Sequence, residues 1–113
     1  MNKVTLLDRE FHLGIGFLNK FIDGTGKDLA ALGEEMQNNI VVILPKMMFY
    51  SLAYSYERSG KELDFDINTI FDLIDENGGV NGSFCADFLN AFTEAMYKDV
   101  PVDNSKKKAI AKK

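Results

Sequence analysis

The 113-residue chain has room for one domain with a core of its own, and its single cysteine, Cys85, leaves no internal disulfide or zinc cluster to consider. A net charge of −4 argues against a nucleic-acid-binding body, because phosphate binding needs a cationic surface; 46% hydrophobic residues, with nine Phe and four Tyr, are more than a disordered chain holds. The start, MNKVTLLDREF, is far too short in apolar residues for a signal segment, and the longest aliphatic run, Ile40 to Leu44, is too short to span a membrane, so a soluble cytoplasmic protein without membrane contact is expected.

Val4, Leu6, Phe11, Leu13 and Ile15 are apolar at alternate positions on either side of Asp8-Arg9-Glu10, which predicts a short antiparallel hairpin with strands at about 3–7 and 10–14. After Gly16 the period changes. Phe17, Leu18, Phe21 and Ile22 mark one face of a short helix ended by Asp23-Gly24-Thr25-Gly26. Asp28 is placed to cap a segment through Leu29, Leu32, Met36 and Ile40, with Asn38-Asn39 open to reading as a break. Pro45 suits the first turn of a new helix that runs without a breaker to Gly60. Asp64 or Asp66 caps the next, where Ile67, Ile70, Phe71 and Ile74 keep helical spacing before Gly78-Gly79 stops it. Ser83 is placed to cap the last, with Phe84, Phe88, Leu89, Phe92, Ala95 and Met96 as its stripe. Beyond Pro101 the chain is polar. Residues 1–105 hold eight Lys and Arg against seventeen Asp and Glu, or −9, and the last eight residues add five lysines. The expected architecture is mainly α (α+β): a single domain at 1–100, with an N-terminal hairpin and four to five helices, and a flexible, disordered basic tail at 101–113.

The chemistry-bearing patterns are weak. Asp64, Asp66, Asn68, Asp72 and Asp75 stand at the oxygen-ligand spacing of an EF-hand loop, but Thr69 replaces its glycine and Asp75 its bidentate Glu, so no metal is assigned. Gly14-Ile-Gly16 lacks the third glycine of a dinucleotide fingerprint, and Thr25-Gly26-Lys27-Asp28 lacks both the first glycine and the hydroxyl residue of a phosphate loop; both read as turns, with no cofactor implied. His12 and Cys85 have no orienting signature around them, and Cys85 reads as a packing thiol. No catalytic residue is assigned, and an enzyme is not expected.

The informative feature is the stretch Met47 to Tyr56, apolar around nearly the whole helix. Two readings stand: a central helix packed on several sides, or a partner face, for which Met and Tyr are suited. The partner reading names Met47, Met48, Tyr50, Tyr54, Phe92 and Met96 as contact residues.

From His12-Leu-Gly-Ile-Gly-Phe-Leu-Asn-Lys-Phe-Ile-Asp23 the sequence resembles the tail assembly chaperones of long-tailed, non-contractile bacteriophages, of the type common among phages of Gram-positive bacteria. The order of elements is similar over most of the chain, through Tyr50 to Tyr54, Ile67 to Ile74 and the final amphipathic helix, but not over Asp28 to Leu44. The resemblance implies a protein that coats and solubilises the helical tape measure protein in the host cytoplasm, helps recruit tail tube subunits, and is not retained in the virion. It also implies self-association and a second form made by ribosomal frameshifting, with Lys106-Lys107-Lys108 a candidate slip site beside the plainer reading of a solvated basic tail. A calcium-responsive regulator using Asp64 to Asp75, or an adaptor for another partner, are the alternatives.

Overall fold

A computed structural model describes residues 3–97 of the chain. The expected flexible tail at 101–113, with Lys106 to Lys108 in it, lies outside the described residues. The architecture is mainly α with an N-terminal hairpin: β1 (Lys3–Leu6), β2 (Arg9–His12), α1 (Ile15–Thr25), α2 (Leu29–Asn38), α3 (Ile40–Ser59), α4 (Ile67–Glu76) and α5 (Ser83–Tyr97).

The hairpin turns one residue earlier than the charged triplet suggests. Leu6 pairs with Arg9, and the two-residue turn is Leu7-Asp8, with φ of 53° and 61°. Two successive positive φ values match the twist of the strands they join. Neither residue is a natural choice for that conformation, which glycine and asparagine adopt with less strain. Replacing Leu7-Asp8 by Asn-Gly is therefore expected to stabilise the protein by about 1 kcal/mol, read as a higher urea midpoint with an unchanged slope. An unchanged or lower midpoint would show that the native turn is not strained.

The register Val4↔Phe11 and Thr5↔Glu10 sends Val4 and Phe11 to one face of the hairpin and Lys3, Thr5, Glu10 and His12 to the other. Phe11 meets Phe88 edge-on at 5.6 Å and Phe84 at 6.1 Å, so this face locks onto α5. The polar face meets α3 through Glu10, which accepts a hydrogen bond from Ser55 Oγ at 3.4 Å, and through His12 against Tyr54. A two-stranded ribbon is not stable alone, and here both faces are used.

Local capping explains most helix limits. Gly26, at φ 74°, ends α1 and returns its N–H to the Ile22 carbonyl at 2.8 Å. Asp28 caps α2, its carboxylate accepting from Ala31 N–H at 2.8 Å. Asp66 and Thr69 form a reciprocal capping box on α4, and Gly60 closes α3 in the left-handed conformation. Two boundaries depart from expectation. The Gly82 carbonyl accepts the Ala86 N–H at 3.1 Å, so Ser83 is the first residue of α5 rather than its cap.

Pro45 does not open a helix. The break falls at Asn39, and Pro45 lies inside α3, five residues after Ile40. Its missing N–H deprives the Val41 carbonyl of a partner, but Val41 is in the exposed first turn, where solvent can replace the lost donor.

The core is one cluster. Phe17, Leu18 and Phe21 of α1, Leu32 of α2, Ile43, Leu44, Met47, Met48 and Leu52 of α3, Ile70 and Ile74 of α4, and Phe84, Cys85, Phe88 and Phe92 of α5 surround Phe11 and Leu13. Among them α3 is central, packing against β2, α1, α2 and α4.

Candidate partner-binding face

Residues 43 to 56 of α3 are all buried or half-buried, which settles the orientation of the proposed contact residues. Met47 and Met48 are fully buried and Phe92 is nearly so, its ring edge-on to Phe17 at 6.2 Å. These three are core, a correction to their reading as a partner face: enclosed side chains offer a partner no surface. Tyr50, Tyr54 and Met96 are half-buried at the margin of the core.

The two tyrosines have a structural use. Gly16 and Gly24 of α1 lie directly beneath the Tyr54 and Tyr50 phenols, with no room for a Cβ at either position. Gly16 is thus not part of a turn, as the glycine pattern suggested; it is a notch in the first turn of α1 that lets α3 approach. The Tyr50 ring also meets Phe21 edge-on at 5.8 Å. The Lys20–Glu57 ion pair spans the same two helices.

His12 meets the Tyr54 ring edge-on at 5.1 Å, and the Arg58 guanidinium lies 6.0 Å from the centroid of that ring. Its Nδ1 is buried without a hydrogen-bond partner. Burial holds the imidazole below its ordinary pKa, Lys3 pushes the same way and Glu10 opposes. Cys85 sits in the core with its thiol pushed up by burial, which makes it a poor nucleophile. Two surface depressions among the described residues are likewise without a reactive pair: one of about 440 Å³ is lined by Asn19, Lys20, Asp23, Gly24 and Tyr50, and one of about 100 Å³ by Asp8, Arg9, Glu10, Ser55, Tyr56, Ser59 and Lys61.

The EF-hand spacing does not form a loop. Helix α4 runs from Ile67 through Asp75, so Asp64, Asp66, Asp72 and Asp75 cannot converge around one ion. Among the described residues no group of three or more His, Cys, Asp or Glu is placed to hold a metal, and no helix is long and apolar enough to cross a membrane.

Among the described residues the most exposed large hydrophobics are aliphatic. Ile15 is 74% exposed, Val41 63%, Leu29 56% and Val42 53%. They stand in the first turns of α1, α3, α2 and α3 respectively. The signal that could have found two of them is the run Ile40 to Leu44: five consecutive aliphatics turn through more than a full circle of helix, so some must face outward. These residues lie in a charge-balanced half of the chain, since residues 1–61 carry seven Asp and Glu and seven Lys and Arg.

No family model, curated protein or solved structure matches the chain.

Proposed function

We propose that the protein is a phage tail assembly chaperone, acting by binding rather than catalysis, which keeps the tape measure protein soluble in the host cytoplasm, helps recruit tail tube subunits, and is left out of the virion. Two things support the reading: the resemblance carried by His12 to Asp23, and the exposed aliphatics. A tape measure protein presents long amphipathic helices before the tube encloses them, and such surface aggregates unless it is covered. The observation that carries the proposal is the pair Val41 and Val42, held outward on a helix whose following residues are core. An apolar ridge on a rigid helix suits reversible contact with an amphipathic helix. Self-association through the same ridge is a part of the proposal, because a protein that coats a long partner gains from repeated contacts between copies.

The test is co-expression with a tape measure fragment, comparing the wild type with a Val41→Asp/Val42→Asp double variant. Both positions are in the first turn of α3, where a carboxylate favours the helix dipole, so stability is expected to stay within about 0.5 kcal/mol. The wild type should raise the soluble fraction of the fragment severalfold, and the variant should return it to the level without chaperone. A fragment no more soluble with the wild type than without it would remove the mechanism. Rescue by a variant with both aspartates would move the contact elsewhere.

A further inference from the structure

The net charge of the described residues is confined to one stretch. From Glu62 to Tyr97 the chain holds eight carboxylates, Glu62, Asp64, Asp66, Asp72, Asp75, Glu76, Asp87 and Glu94, and no Lys or Arg. Every one of these residues is exposed. The ion pairs among the described residues, Lys3–Glu10, Lys20–Glu57 and Lys27–Glu35, all lie outside that stretch.

The acidic half also has an apolar centre. On α4, Ile70 and Ile74 point into the core, while Asn68, Phe71, Asp72 and Asp75 are exposed. Their spacing, i, i+3, i+4 and i+7, makes them one outer stripe. Phe71 is 44% exposed within it, one turn from Asp75. A phenylalanine beside two carboxylates suits a segment with an aliphatic centre and flanking cations.

The chain carries such a segment. Lys106-Lys107-Lys108-Ala109-Ile110-Ala111-Lys112-Lys113 has five lysines, no acidic residue, and Ile110 between them. Residues 98–105 separate it from the end of α5, a tether of about 30 Å when extended, longer than the roughly 22 Å of α5 itself. We infer that the outer stripe of α4 is a docking surface for residues 106–113 of the same molecule, with Ile110 against Phe71 and the lysines paired with Asp72, Asp75 and Glu76. Exposed ion pairs are individually weak, so the contact is an electrostatic one that salt screens, with a Debye length of about 10 Å at 0.1 M and about 3 Å at 1 M. The contact does not depend on the chaperone reading.

The experiment compares amide spectra of the isotopically labelled full chain with those of a full-length variant in which Lys106, Lys107, Lys108, Lys112 and Lys113 are all glutamine. Shift differences are expected at residues 68–76, and they should fade as the salt is raised to 1 M. A full chain with Phe71→Ser should show the same loss at Asp72 and Asp75 with its other helices unperturbed. Identical spectra for wild type and glutamine variant, or differences outside α4, would overturn the inference. Differences at α4 that grow with protein concentration would overturn it too, by making a second copy the source of the segment.

Discussion

Replacing Met47 by Asp is expected to unfold the domain, not to weaken a partner contact. Met47 is fully buried within the central cluster, in a helix that meets β2, α1, α2 and α4. An aspartate there brings a carboxylate into the apolar cluster and deletes the packing of a long side chain. Together these are expected to cost about 4 kcal/mol or more, against a total of roughly 5–15 kcal/mol for a domain of ordinary stability. Circular dichroism and urea titration read the result directly. A variant that keeps its helices and its urea midpoint would mean that α3 has an open side at Met47, and the description of it as the core helix would be wrong. Val41→Asp, on the same helix, is the internal control: it exchanges an exposed aliphatic for a carboxylate and should leave the midpoint nearly unchanged.

Removing the Phe11 ring is expected to release the hairpin. Phe11 is fully buried, and its ring is in contact range of both Phe84 and Phe88 on α5. Phe11→Ala should cost about 3–5 kcal/mol, part of it the cavity and part the lost aromatic edges. The loss is not evenly shared, because a two-stranded ribbon does not survive without its packing. Hydrogen exchange should show the amides of Lys3 to His12 losing protection first while those of α3 and α4 keep theirs. If protection falls equally everywhere, the hairpin is an integral part of one cooperative unit; if the loss of stability is under about 1 kcal/mol, Phe11 is not the anchor.

These two experiments probe the places where reading the chain and seeing it folded differ most. The hairpin and its antiparallel sense were legible in the alternation of Val4, Leu6 and Phe11, but the turn and the register were not. Asp8-Arg9-Glu10 has the composition of a loop, whereas the chain turns at Leu7-Asp8, because that register places Val4 opposite Phe11 on the face that α5 covers. Pro45 misled for a similar reason. Local preference puts proline in a first turn, and the packing of Ile43, Leu44 and Pro45 into the core extends the helix back to Ile40 despite the lost hydrogen bond.

Among the predicted contact residues, the amphipathic helices and the all-round apolar one behave differently. In α4 the spacing of Ile67, Ile70, Phe71 and Ile74 marks one face before any neighbour is known, and of these Ile70 and Ile74 are buried while Phe71, at the edge of the face, is 44% exposed. In α3 no stripe stands out, so sequence leaves its orientation open between a core and a partner face. Neighbours resolved it: Met47 and Met48 went inside, Tyr50 and Tyr54 closed over Gly24 and Gly16, and the exposed aliphatics of this helix are Val41 and Val42.

The amino-acid sequence alone determined most elements of this protein but not the hairpin turn or the start of α3, because caps such as Asp28, Asp66 and Gly60 and the periods of strand and helix act over a few neighbouring residues. Only the tertiary structure decided which apolar side chains remain exposed. Burial depends on what arrives from distant parts of the chain, and for α3 those arrivals came from four sides.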